Sequence, residues 1–272
     1  MDRTIFSINS GRSGSRYLSR LLDSVPNVTA FHEADPDMAG RYVKWFPSEG
    51  LTPKQLLLAA PVYAQKLRKI AAIRRAMKGQ PAGQIYAETN FQFILSFYDV
   101  AMRFFPSVDV VLMRRYLPKV LKSWMDLGWF KPTHPHTPYW CGEPDNPGAA
   151  VKAPAPRGEL EPIEWCIWYL IDVEGRAQRF KKQYPAARVV EVRLEELNDL
   201  DRVRWMFSQL EIEPSPETEA VVGKAVWART HEKVKTGIDL PLEYCCERIE
   251  QFVERCRSAD IAVPELPHMT EV

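Results

Sequence analysis

Short apolar runs alternate along this chain with longer stretches in which apolar side chains recur every three or four residues. Arg3–Ile8 is a β-rich segment, and Val28–Phe31, Ile85–Glu88, Val108–Met113 and Arg188–Arg193 are four more. The run Val108-Asp109-Val110-Val111-Leu112-Met113 is almost continuously apolar, as suits a strand buried on both faces of a parallel sheet. Between these runs, Tyr17, Leu18, Leu21 and Leu22 fall at helical spacing, so a helix begins near Ser13 to Ser15. Thr52 and Pro53 open the next helix as N-cap and first residue; it runs to about Lys78, with Gly79 as its stop. Pro61 is expected to kink or divide it. Helical periodicity returns over Phe91–Phe105, from about Pro118, over Glu159–Tyr184, Val203–Leu210, Pro216–Arg229 and Leu240–Arg257. Strands alternating with helices predict an α/β fold, with a central parallel sheet of about five strands, helices on both faces and a helical C-terminal cover. No repeat or low-complexity tract interrupts the pattern, and residues 1–272 are expected to form one domain.

Composition narrows the function classes. A hydrophobic content of 46% and a charged content of 26% fit a globular protein with a substantial core. The net charge of +1 argues against a general nucleic-acid binder. No apolar run is long enough for a membrane span, and Met1-Asp2-Arg3 leads straight into a strand rather than a signal peptide, so a cytoplasmic protein is expected. The five cysteines, Cys141, Cys166, Cys245, Cys246 and Cys256, lack CxxC spacing, which argues against both zinc and a disulfide framework.

The candidate chemistry starts at Ser7-Ile8-Asn9-Ser10-Gly11-Arg12-Ser13-Gly14-Ser15-Arg16-Tyr17-Leu18: a strand end, a tight loop and a helix start. Gly11 and Gly14 let an anion approach the main chain, and the helix start offers unpaired N–H groups. Ser13 and Ser15 add hydroxyl donors, and Arg12 adds a planar cationic fork. The nucleotide-kinase pattern GxxxxGK[ST] and the dinucleotide pattern GxGxxG are both absent. The loop is therefore a P-loop-like phosphate cradle of another kind, and the fold it implies is a P-loop-like three-layer sandwich.

Two more strand ends carry polar groups toward that loop. The strand at Val108 ends in Arg114-Arg115, and Ser123 lies eight residues beyond Arg115 in the following helix. An arginine at a strand end and a hydroxyl two turns into the next helix can both reach one phosphate, and two arginines after a strand can equally form a solvated edge; Arg114 is the alternative to Arg115. The strand Val28–Phe31 delivers His32 and Glu33 to the carboxyl edge of the sheet, where open α/β sheets bind ligands.

Gly11-Arg12-Ser13-Gly14-Ser15-Arg16-Tyr17-Leu18 resembles the phosphosulfate-binding loop of the sulfotransferases, which use 3′-phosphoadenosine 5′-phosphosulfate. Arg115 and Ser123 resemble the pair that holds the 3′-phosphate in that family. The resemblance covers about residues 4 to 237 and is nearest to the bacterial type, with features of the tyrosylprotein and carbohydrate branches. It departs from the family at Gly11, where proline is common, at Arg16, where a hydroxyl residue is common, and at Tyr116-Leu117, where Asp-Pro is usual. It implies nucleotide binding by Gly11, Arg12, Ser13, Gly14, Ser15, Arg16, Tyr17, Arg115 and Ser123, and transfer to an acceptor hydroxyl without a metal. Glu33 is then the general base, with His32 as the rival, and Arg12 stabilises the transferring group. A lysine that the tyrosylprotein branch carries near Thr89 is missing, and Lys152 is a candidate to supply a cation from outside. A late basic segment, Arg229–Gly237, is expected to close over the nucleotide, with Lys235 as its candidate contact.

Eight of the 22 prolines lie between Lys131 and Pro162, a segment read as a substrate-side loop or lid. Its Tyr139 and Trp140, with Trp129 just before it, suit stacking on a sugar or flat metabolite, so the expected acceptor is a carbohydrate, a glycolipid or a small-metabolite hydroxyl. His134, His136 and Cys141 are read as loop side chains rather than a metal cluster. The six basic residues between Lys66 and Lys78 are read as a solvated helix face. Two other classes remain: an atypical phosphate-loop kinase or NTPase, and a catalytically inert nucleotide-binding relative.

Overall fold

The computed structural model describes residues 3–38, 53–131, 133, 137–146, 148–224 and 239–271. Five strands, β1 (Thr4–Ile8), β2 (Val28–His32), β3 (Ile85–Thr89), β4 (Val108–Arg114) and β5 (Val189–Arg193), form one sheet in the order β2-β3-β1-β4-β5. Every pairing is parallel; Ile8 lies opposite Leu112, and His32 opposite Thr89. The α/β architecture expected from the alternating pattern is thus present.

Alternation along each strand sends side chains into two cores, one per sheet face. Ile5, Val111, Met113, Val190 and Val192 pack with α1 (Ser15–Asp23), α7 (Leu200–Gln209) and α8 (Pro216–Val221). Phe6, Ile8, Val110 and Leu112 pack on the other face, with α2 (Pro53–Ala76), α3 (Tyr98–Phe104), α4 (Leu117–Asp126) and α6 (Pro162–Gln183). The C-terminal α9 (Leu242–Ser258) covers α4 and α6. A short α5 (Thr137–Trp140) lies in the proline-rich segment.

The connection after β1 goes through α1 on one face, toward β2. The connection after β4 goes through α4 on the other face, toward β5. Neighbouring strands whose connections part in this way leave a crevice at their carboxyl ends. The crevice lies between the two loops that carry Arg12 and Arg115.

Three local expectations change. α2 runs unbroken through Pro61, whose ring is exposed. The helix expected over 91–105 opens as a π-helical turn, Phe93–Phe97, before α3. All five residues of that turn are buried, and Phe93 stacks on Phe6 with ring centroids 4.8 Å apart, so the wide turn feeds consecutive side chains into the core. The basic face of α2 is not simply solvated. Lys66 and Lys69 are buried, Lys66 against the Asp99 carboxylate at 2.8 Å and Lys69 against Glu88 at 2.8 Å.

The proline-rich segment is strapped to α6. Asp172 accepts hydrogen bonds from the backbone N–H groups of Ala150 and Val151, and Val151 and Ala150 pack where a side chain on Gly175 would stand. Trp165 and Trp168 donate their indole N–H groups to the carbonyls of Gly142 and Val151. His134, His136 and the Tyr139 side chain lie outside the described residues. All five cysteines are free. No helix among the described residues is long and apolar enough to cross a membrane.

Candidate active site

The phosphate loop is built from its strand outward. Asn9 donates to the Ser7 hydroxyl and accepts from the Gly11 N–H at 2.9 Å, which folds the chain back immediately after β1. The Ser10 carbonyl is held by Trp124 of α4 and Tyr169 of α6. Gly11 then has φ 69° and Arg12 φ 55°. Gly14, at φ 93°, is the N-cap of α1. A Cβ at Gly11 would stand 2.7 Å from Trp124 Cζ2, and one at Gly14 would stand 2.5 Å from Leu194 Cδ1. Both glycines therefore serve backbone conformation and close packing together.

Arg12 Nε donates to Ser123 Oγ at 3.0 Å, and Arg115 Nη1 donates to the Arg12 carbonyl at 3.0 Å. The N-terminal loop and the mid-chain pair, more than a hundred residues apart in sequence, thus form one constellation. The Ser13 hydroxyl is buried there without a hydrogen-bond partner. An orphaned buried hydroxyl at a helix N-terminus matches the donor chemistry of an anion site. Ser15 is buried at the first residue of α1, and Arg16 is exposed next to it.

Arg114 has carboxylate partners of its own. Its guanidinium is bound by Glu174 at 3.1 Å and by Glu191 at 2.6 Å, and these carboxylates hold its pKa up despite the burial. The Tyr17 hydroxyl donates to the Leu197 carbonyl at 2.8 Å and accepts from the Gly223 N–H at 2.9 Å, which pins α1 to the later chain. Lys152 is exposed beside Val151, on the strap over α6. Lys235 and the rest of Arg229–Gly237 lie outside the described residues.

His32 and Glu33 occupy the end of β2. His32 Nδ1 lies 3.0 Å from the Thr89 carbonyl and 3.1 Å from its hydroxyl, while Nε2 is 3.8 Å from a Glu33 carboxylate oxygen. Burial, aided by the Arg16 charge, pushes the His32 pKa down to about 4. Glu33 is pushed the other way: burial raises its pKa, Asp37 and Glu88 add to this, and Arg16 and Arg12 oppose it. Both Arg12 and Arg16 therefore act on Glu33 electrostatically, from across the loop and from α1.

Sequence reasoning missed the support beneath this edge. Glu88, at the end of β3, is fully buried and accepts from Lys69, Tyr86, Asn90 and the Ala34 N–H. A signal was available: Lys66, Lys69, Ile70, Ile73 and Met77 share the helical spacing of a core-facing stripe. An aromatic group flanks the loop on the other side. Trp124 meets Trp129 and Phe91 edge-on, and Trp140 stacks on Phe91 with centroids 6.1 Å apart; Trp129 and Trp140 keep part of their surface exposed. Among the described residues, no group of three His, Cys, Asp or Glu side chains could hold a metal ion.

No protein-family model and no curated protein matches the chain. Solved structures do. The sulfotransferase domain from the curacin biosynthetic pathway aligns with a TM-score of 0.53 at 12% identity, over 98% of this chain and 99% of that one. The sulfotransferase domain of the Synechococcus PCC 7002 olefin synthase aligns with a TM-score of 0.50 at 14% identity, over 92% of this chain and 94% of that one. At these identities the likeness is one of fold: the chain has the architecture of these sulfotransferase domains across almost its whole length.

Proposed function

We propose that this protein is a sulfotransferase that moves a sulfuryl group from 3′-phosphoadenosine 5′-phosphosulfate to an acceptor hydroxyl. The observation that carries the reading is the junction of Arg12, Ser123 and Arg115, in which two separately recognisable phosphate motifs meet at the crevice of the sheet. The likeness of fold supports the same reading.

In this reading Arg12, the unpartnered Ser13 hydroxyl and the N–H groups around Gly14 and Ser15 receive the phosphosulfate end, with Gly11 and Gly14 shaping the loop and Arg16 adding charge. Arg115 and Ser123 receive the 3′-phosphate. Glu33 takes the proton from the acceptor hydroxyl. The acceptor oxygen attacks sulfur as the bond from sulfur to the bridging oxygen breaks, and adenosine 3′,5′-bisphosphate leaves. Arg12 and the loop N–H groups stabilise the charge that grows on the transferring group, a fixed electrostatic contribution needing no metal. Glu33 is preferred to His32 as the base because a carboxylate of raised pKa gains proton affinity, whereas a histidine pushed down to about 4 loses it. The half-exposed Trp129 and Trp140 favour an acceptor with a flat or sugar-like face, a carbohydrate, glycolipid or small metabolite.

The test is calorimetric titration with adenosine 3′,5′-bisphosphate and with ATP plus magnesium, followed by a labelled-sulfate transfer screen over hydroxyl acceptors. Selective binding of the bisphosphate and transfer to at least one acceptor is the expected result. Preference for ATP–magnesium would turn the reading to a kinase or NTPase. Bisphosphate binding without transfer to any acceptor or to water would turn it to an inert relative.

A further inference from the structure

A buried ion pair lies directly under the proposed base. Lys69 reaches up from α2, with its side chain 1% exposed, to Glu88 at the end of β3, whose side chain is 0% exposed. Neither group faces solvent, and the pair does more than neutralise itself. Lys69 Nζ donates to the Ala34 carbonyl, and Glu88 Oε1 accepts from the Ala34 N–H at 3.1 Å. Both backbone polar groups of the residue after Glu33 are thus held by one lysine–carboxylate pair. The Glu33 N–H is held in turn by the Thr89 carbonyl at 3.3 Å. Between these fixed points Glu33 has φ 51°, a left-handed conformation that a residue with a side chain keeps only when its surroundings impose it.

We propose that the Lys69–Glu88 pair is a positioning device for Glu33: by clamping both backbone groups of Ala34, it holds Glu33 in the left-handed turn that sets its carboxylate at the edge of the phosphate loop. The proposal rests on the reading of Glu33 as the base. It explains why a lysine and a glutamate are buried here together, when a sheet edge could be filled by apolar side chains at no cost in desolvation. It also gives Glu88 a second effect, since its charge is one of two carboxylates that act on Glu33. The groups facing Glu33 are His32 beside it, Arg16 of α1, Arg12 of the loop, Asp37 beyond it and Glu88 of β3.

The test uses Glu88→Gln, which keeps shape and an acceptor oxygen, and the charge-neutral Lys69→Met/Glu88→Gln, which leaves no buried charge unpaired. Hydrogen exchange reads the Ala34 amide, and carbon-13 NMR reads the Glu33 carboxyl titration, assigned with Glu33→Gln. The double variant should exchange the Ala34 amide about tenfold faster or more, as expected for losing a clamp on one local segment. Glu88→Gln should move the Glu33 titration to lower pH, because a neighbouring negative charge is gone. Adenosine 3′,5′-bisphosphate affinity should stay within about twofold in both, since neither residue belongs to the phosphate constellation. Unchanged Ala34 exchange and an unchanged Glu33 titration in folded variants would overturn the proposal. Failure of the base reading looks different. Glu33→Gln would then release labelled sulfate from the donor as fast as the parent protein, whatever the exchange experiment shows.

Discussion

Replacing Arg115 by alanine separates a specific nucleotide reading from a general attraction for anions. Arg115 is half-buried at the end of β4, and one of its N–H groups already steadies the Arg12 carbonyl at 3.0 Å. A hydrogen bond to a charged group contributes about 1.5–3 kcal/mol, so losing the one assigned to the 3′-phosphate should weaken adenosine 3′,5′-bisphosphate about 10- to 150-fold. Losing the bond to the Arg12 carbonyl costs a further ~0.5–1.5 kcal/mol of stability. That lowers the melting midpoint by only about 1–6 °C. Calorimetry should compare the bisphosphate with adenosine 5′-monophosphate in both proteins. The parent should prefer the bisphosphate, and Arg115→Ala should lose most of that preference while its affinity for the monophosphate changes little. Ser123→Ala should show the same pattern more weakly, since it removes a neutral donor and the acceptor of the Arg12 Nε–H group. Equal affinity of the parent for both ligands would refute the assignment, as would a uniform loss for both in the variant.

Gly11→Ala should be destabilising, because φ 69° and a Cβ 2.7 Å from the Trp124 ring add a left-handed cost of ~1–2 kcal/mol to an overpacking cost of ~1–3 kcal/mol. A fall in the thermal midpoint of less than about 4 °C would contradict that sum. Arg12→Ala should lower turnover by about two orders of magnitude or more, as removal of a transition-state donor does, and a tenfold or smaller effect in a transfer assay would move the role elsewhere. Burial, aided by the charges of Arg114 and Arg193, pushes the His268 pKa down from 6.5 to about 3, with the Glu174 carboxylate 3.9 Å from its Nε2. The folded state therefore binds fewer protons than the unfolded one, and the stability it contributes is present above pH 6.5 and lost as the pH falls from there toward about 3, on the order of 4 kcal/mol in all. Urea midpoints of the parent and of His268→Gln should draw together between pH 7 and pH 4.5; a constant gap would show that His268 does not titrate in this way.

The loop and the sheet were legible because their signals are local. Parallel strands buried on both faces read as apolar runs, and a helix start after a glycine-containing turn reads within a dozen residues. Arg115 and Ser123 stood out in the sequence through the resemblance to the sulfotransferase pattern, and the structure brings Arg12 into contact with both. The carboxylate partners of Arg114 were not legible, because Glu174 and Glu191 lie 60 and 77 residues further along. The partners of the Tyr17 hydroxyl were hidden for the same reason, since Leu197 and Gly223 lie far along the chain. Lys69 misled outright. A run of basic residues reads as a solvated face unless the partner is known, and its partner Glu88 lies 19 residues on.

Gly11 shows that a difference from the loop pattern this segment resembles has a physical reason. Proline, common at that place in the sulfotransferase loop, is locked near φ −65° and cannot adopt the 69° found here. Its missing N–H would also leave the Asn9 side-chain oxygen without the bond that closes the turn. The glycine is therefore coupled to Asn9 before it and to Trp124 above it, where the indole fills the space a side chain would need. Trp124 in turn belongs to α4, one residue after Ser123, and its indole N–H holds the Ser10 carbonyl at 3.2 Å. The same helix thus fixes the backbone of one phosphate motif through Trp124 and meets its arginine through Ser123. These contacts join the loop to α4, so substitutions at Gly11 and Ser123 are expected to act non-additively on bisphosphate affinity, which a double-variant calorimetric cycle checks.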